Sequence, residues 1–177
     1  MKTPEEVYNI LKEKFGEDVI LSYDDSQPVE PVISVDPLKI HEVGKFLRDD
    51  ENLLFDSLMV LSGVDDFNGK KVKDEEGNLK EEGRTLSVYY NLHSMKLNHK
   101  VLVRVSTPIE DPKVESVEHV WRTADWHERE AYDMYGIIFL NHHDLRRILM
   151  PDDWGERYPL RKDYEDPEYY NGMKVPY

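Results

Sequence analysis

Residues 84–93 alternate strictly. Leu86, Val88, Tyr90 and Leu92 fall on one side, and Thr85, Ser87, Tyr89 and Asn91 on the other. A period of two over this length marks a half-buried strand of an antiparallel sheet, because successive side chains of a strand point to opposite faces. Val101, Val103 and Val105 repeat the pattern after a connection at residues 94–98. The two runs predict a hairpin at the centre of a sheet, and the rest of the chain has to supply its cover.

The cover is legible on the N-terminal side. Thr3-Pro4-Glu5-Glu6 reads as a helix start, with a cap, a proline at the first helical position and a glutamate at the third. Val7, Ile10, Leu11 and Phe15 then share one face, and Gly16 is the predicted stop. Val19-Ile20-Leu21 and Val32-Ile33-Ser34-Val35 read as short strands joined by an acidic loop. Asp36-Pro37 is expected to start a second helix in the same way, with Leu38, Val43, Phe46 and Leu47 as its apolar residues. The apolar run 55–64 fits a buried strand. Residues 66–83, DFNGKKVKDEEGNLKEEG, read as an exposed hairpin extension or mobile loop. Residues 116–122 are expected to form a short helix. Strands in pairs with helices between them predict an α+β domain: an antiparallel or mixed sheet with helices on one face, spanning residues 1–140. Residues 141–177 are expected to be an extended C-terminal segment. After Trp154 no helical or strand period is found, yet Tyr164, Tyr169, Tyr170 and Tyr177 supply aromatic anchors. Such a segment reads as a strap laid on another surface.

Residues 125–164 have the highest density of charge, aromatics and turn residues. Asp125 and Glu128 stand at a capping-box spacing, Arg129 and Asp133 are one helical turn apart, and Gly136 is placed to end the helix in a left-handed conformation. The strings EREAYDMYGIIF, HDLRRIL, DDW and PLRKDY follow in order. In order and spacing they resemble the signature of the C subunit, or 30 kDa subunit, of proton-pumping NADH:quinone oxidoreductase, in the peripheral arm of respiratory complex I. Two departures are visible. Asn141-His142-His143 stands where the family usually has Gly-His-Pro, and Glu156-Arg157-Tyr158 precedes Pro159 where the family has Gly-His.

The resemblance implies a non-catalytic structural subunit that supports electron transfer from NADH to quinone. It implies no cofactor on this chain, with FMN, iron–sulfur clusters and quinone on other subunits. The implied partners are the D subunit first, then the B and I subunits, at the cytoplasmic face of the cell membrane. An equivalent subunit of a membrane-bound hydrogenase, or of a complex fed by ferredoxin or a deazaflavin, fits the same signature. A free-standing enzyme using the carboxylates and histidines is the third reading.

The residues narrow these readings. A formal net charge of −14 argues against a nucleic-acid binder. The absence of cysteine excludes thiolate-ligated clusters and disulfides. No run reaches the roughly 20 apolar residues of a membrane helix. His127, Glu130, His142, His143 and Asp144 do not have a convincing metal spacing, since adjacent side chains rarely converge on one ion. Glu128 and Glu130 diverge on a helix and are not expected to share a pocket for acid–base work. Gly63, Gly69, Gly77 and Gly83 are scattered, so no phosphate loop is present. What remains is mechanical. Glu128, Arg129, Glu130, Asp133, Asp144, Arg146, Arg147, Trp154, Arg161, Lys162, Asp163 and Tyr164 are the candidate interface residues, about half of them expected to brace the domain itself and half to meet a partner. Charge reversal at Arg129 is expected to weaken assembly without unfolding the domain.

Overall fold

The predicted hairpin is the middle of the sheet. Strand β6 (Thr85–Ser94) pairs antiparallel with β7 (His99–Pro108), residue for residue from Thr85↔Pro108 to Ser94↔His99. The structure, a computed structural model, describes residues 1–27, 29–73, 79–170 and 172–175. Helix α1 (Pro4–Phe15) has the full capping box: the Thr3 hydroxyl accepts from the Glu6 N–H, and the Glu6 carboxylate accepts from the Thr3 N–H. Strands β1 (Ile20–Asp24) and β2 (Val32–Val35) form the next hairpin. Helix α2 (Ile40–Asp49) begins later than the sequence suggests. Asp36 does cap, but its carboxylate accepts from the Leu38 N–H of an isolated turn, so the helix starts only at Ile40 and Leu38 is left exposed.

Strand β3 (Ser57–Asp65) pairs antiparallel with β6, with a bulge between Leu58 and Val60. The bulge explains why alternation over 55–64 is weak. Strands β4 (Lys70–Lys73) and β5 (Leu79–Glu82) then form a two-stranded ribbon, which is the expected hairpin extension, although its tip at 74–78 lies outside the described residues. Sheet order is β1-β2-β7-β6-β3. It is mixed, because β2 runs parallel to β7. Strand β8 (Lys113–Glu115) pairs parallel with β9 (Ile138–Leu140), and between them lies helix α3 (Ala124–Tyr135). Residues 116–122 are not a helix. They make a turn closed by bonds from the Val120 and Trp121 N–H groups to the Val117 carbonyl, and Trp121 spends its indole N–H on the Phe55 carbonyl at 2.8 Å.

One core joins the inner face of the sheet to the helices. Leu86, Val88, Tyr90 and Leu92 meet Val7, Leu11, Val43, Leu47 and Ala131 there. The tail is not featureless: β10 (Tyr169–Tyr170) and β11 (Met173–Lys174) make a small hairpin. Two-residue strands carry no readable period. The terminal anchor Tyr177 lies outside the described residues.

Helix α3 stops where expected. Gly136 has φ +77° and ψ 22°, and its N–H closes on the Tyr132 carbonyl. A β-carbon there would also lie 2.5 Å from Tyr158 and 2.8 Å from Arg161. Gly136→Ala therefore combines left-handed strain with overpacking and is expected to cost about 3 kcal/mol, read as a fall in thermal midpoint.

Candidate functional site

Helix α3 offers charged side chains on its buried face, and each is matched by a group from another element. Glu128 is fully buried. Its carboxyl accepts from the Ser116 hydroxyl at 2.6 Å and the Val117 N–H at 2.8 Å. The expected capping box is therefore absent. Thr123 occupies the cap position without a side-chain bond, Asp125 lies inside the helix, and Glu128 caps the β8–α3 connection instead. Burial, with Glu118 and Asp125 nearby, pushes the Glu128 carboxyl up to about 8 against these two donors.

Arg129 is buried too, and it does not pair with Asp133. It binds Asp125 one turn earlier, with Nε at 2.9 Å, and reaches Asp144 at 3.3 Å. Its guanidinium lies over the exposed Trp126 ring at 4.7 Å. Asp133 is needed elsewhere. Its Oδ2 accepts the N–H groups of Ile148, Leu149 and Met150 at 3.0, 2.7 and 2.9 Å, and its Oδ1 accepts Arg147 Nη1 at 2.7 Å. Burial raises the Asp133 carboxyl, but the three amides and Arg147 outweigh it and hold it below its ordinary value.

The chain after residue 150 is held in the same manner. Arg161 donates from Nε to the Tyr135 carbonyl at 2.7 Å, and the Leu160 N–H bonds the Met134 carbonyl. Asp65 accepts the Lys162 N–H at 2.8 Å while also binding Arg84, whose guanidinium reaches Asp163 at 3.0 Å. So the strap, as far as Asp163, lies on its own domain. The trailing part is held by Trp154 against Tyr170 at 5.6 Å and by the Tyr170 hydroxyl on Asp153.

Glu118, Asp125, His142 and His143 converge, with ligand-type atoms within 4.8 Å of one another. The expectation that adjacent histidines do not meet at one place is corrected: the two rings stack, with centroids 5.2 Å apart, and both face Glu118. The hydrogen bonds describe an acid–histidine network. The Asp144 N–H donates to His142 Nδ1 at 3.1 Å. This bond assigns the ring hydrogen to Nε2, the nitrogen facing Asp125 and Glu118. A metal at Nε2 would need that nitrogen bare and Nδ1 protonated against the Asp144 N–H. His127 and Glu130 take no part in the cluster.

The family model described as "Respiratory-chain NADH dehydrogenase, 30 Kd subunit" matches residues 33–170. The chain belongs to this family. The C subunit of NADH-quinone oxidoreductase from Chloroherpeton thalassium is 46% identical over 98% of this chain, which spans 65% of that protein. The C subunit of the Chlorobium phaeobacteroides enzyme is 40% identical over 96% of the chain and 93% of its own length. Among solved structures, "Nqo5 of the trypsin-resistant fragment (1-134)" superposes with a TM-score of 0.56 at 24% identity, covering 77% of this chain and 97% of that one. A chain of the membrane-bound sulfane sulfur reductase, an archaeal respiratory membrane complex, gives a TM-score of 0.66 at 18% identity, covering 91% and 85%. At these identities the two structures speak for the fold alone.

Within this 30 kDa subunit fold, the signature sorts by burial. Glu128, Arg129 and Asp133 are buried braces, and Arg147 and Arg161 bond the domain's own acceptors. Asp144 serves Arg129 and Arg146. Glu130, Arg146, Lys162 and Asp163 are exposed, and Trp154 and Tyr164 are half-buried. The buried state of Arg129 corrects the expected effect of reversing its charge: a glutamate beside Asp125 and Asp144 would destabilise the domain itself. Sequence reasoning missed Asp65, Arg84, Ser116 and Glu118. Each sits outside the signature in the chain, and only the fold brings them to it.

Proposed function

We propose that this chain is a structural subunit in the peripheral arm of a proton-translocating NADH:quinone oxidoreductase. In this reading it has no active site of its own. FMN, iron–sulfur clusters and quinone belong to other subunits. The chain docks on the D subunit, with the B and I subunits as neighbours, at the cytoplasmic face of the membrane. The family match over residues 33–170 carries the reading. The geometry supports it: the signature charges are largely spent on bracing, with fixed backbone and aromatic anchors as the result. No helix among the described residues is long and apolar enough to cross a membrane.

The test is affinity purification of the tagged chain from gently solubilised native membranes. Flavin and iron–sulfur subunits with NADH:quinone activity are the expected companions. Hydrogenase activity, or reduction fed by ferredoxin or a deazaflavin, would replace this reading with the sister complexes. A lone chain, found repeatedly, would overturn both.

The exposed signature charges supply a sharper variant. Arg146 and Lys162 are exposed, and Arg146 bonds the partly exposed Asp144 at 3.0 Å. Arg146→Glu with Lys162→Glu is expected to lower the assembled fraction severalfold. The thermal midpoint of the chain should stay within about 2 °C, since surface substitutions change stability by about 0.5 kcal/mol or less. Native gel electrophoresis and thermal unfolding check the two halves.

A further inference from the structure

Strand β3 is an edge of the sheet. Among the described residues, none forms a backbone hydrogen bond to its outer side between Ser57 and Val64. An open row of peptide groups is complementary to one kind of partner, another extended backbone. Edges are commonly blunted, and the bulge at Leu58–Val60 blunts the first part of this one. From Val60 to Asp65 the strand is regular again, paired residue for residue with Asn91 to Leu86.

A groove runs along this regular part. Val60, Gly63, His127, Ala131, Tyr135 and Leu160 line it, and its volume is about 280 Å³. Gly63 lets the Tyr135 ring pack directly on the strand and form the groove wall, since a β-carbon there would stand 2.7 Å from that ring. Beside it, His127 Nδ1 is buried without a hydrogen-bond partner among the described residues. A buried polar atom left alone costs about 1–3 kcal/mol. Glu130 is exposed at the rim, and no described cation forms an ion pair with it. Val60 and Leu160 are large apolar residues left 41% and 49% exposed.

We propose that an extended segment of a neighbouring subunit adds to the sheet along the outer edge of β3. The segment places an apolar side chain in the groove beside Tyr135 and Leu160, and a lysine or arginine against Glu130. Main-chain bonds give the pairing its strength, and these two side chains give it register and choice of partner. The charge of the occupant follows from the rim carboxylate and from the chain's net charge of −14. A second copy of this chain brings the wrong sign. The proposal rests on the reading of the chain as part of a larger assembly.

The test uses the assembled complex. A photo-crosslinking amino acid at Val60 or at Ser62 is expected to capture one stretch of one neighbouring subunit, with the two captured residues two apart and a basic residue within that stretch. The amides of residues 60–64 should exchange hydrogen at least about tenfold more slowly in the complex than in the free chain, while the opposite edge, β1, serves as the control. Captured residues three or four apart would mean a helix lies on the groove, and capture of another copy of this chain would mean a homomeric contact. Either result, or unchanged exchange at residues 60–64, overturns the proposal. Loss of the underlying assembly reading is seen separately and earlier, as absence of the chain from the purified complex, and the proposal then falls with its premise.

Discussion

Asp133→Ala is expected to lower the thermal midpoint by about 10 °C and to open residues 144–163 to proteases. The carboxylate is completely buried and satisfies four donors at once: Arg147 and the amides of Ile148, Leu149 and Met150. Removing it leaves a guanidinium that is only 15% exposed without its carboxylate, and three peptide N–H groups without their acceptor. Loss of one member of a buried charged cluster costs about 3–5 kcal/mol, and a chain of this size loses about 2–4 °C per kcal/mol. Asp133→Asn keeps an acceptor oxygen and should lose about half as much. The variants also separate by pH. The folded-state carboxyl lies below its ordinary value, so its contribution is present above the unfolded pKa of 3.8 and is lost as pH falls through the folded value. Acid unfolding of Asp133→Ala should therefore be shallower than that of the natural chain. Equal thermal midpoints for the two proteins would refute the brace.

Glu128 works in the opposite direction. Its carboxyl is raised from 4.5 to about 8, chiefly by burial. The folded chain then holds a proton that the unfolded chain has released, so stability is fully present below about 4.5 and declines as pH rises toward 8. The whole decline is on the order of 5 kcal/mol. Glu128→Gln preserves the shape. Its amide oxygen can accept from Val117, and its NH₂ can donate to the Ser116 hydroxyl. Denaturant unfolding of the two proteins from pH 5 to 8 should diverge steadily, with the glutamine form ahead at the alkaline end. Parallel curves would show that Glu128 is ionised in the folded chain at neutral pH.

The contrast between these two acids shows where sequence reading reaches its limit. The β6–β7 hairpin, the capping box of α1 and the left-handed Gly136 were readable because each depends on neighbours within a few residues. The sheet and its helical cover followed from them. The pairing of Arg129 was misread because helix spacing offers two partners, Asp125 and Asp133, and says nothing of depth. Asp133 turned away because residues 147–150 arrive from the other side with four donors. Glu128 left its supposed cap because the Ser116 hydroxyl and the Val117 amide needed an acceptor. Adjacent His142 and His143 meet at Glu118 because Glu118 receives both the His143 amide and its ring. In each case the deciding partner is distant in the chain. The start of α2 was lost for a local reason, a capped turn that does not continue into the helix.

The two buried carboxylates that receive the C-terminal segment also set a timetable for synthesis. Asp65 and Asp133 are made before their acceptances can be completed: Asp65 waits for Lys162, and Asp133 for residues 147–150. Until those residues emerge, a nascent chain that closed its core would bury Asp133 without its four donors. The surroundings of these two acids are thus completed only once residues 147–162 have left the ribosome. A chain truncated before residue 147 should linger as a chaperone client, whereas one ending just after Lys162 has every donor it needs for these two acids.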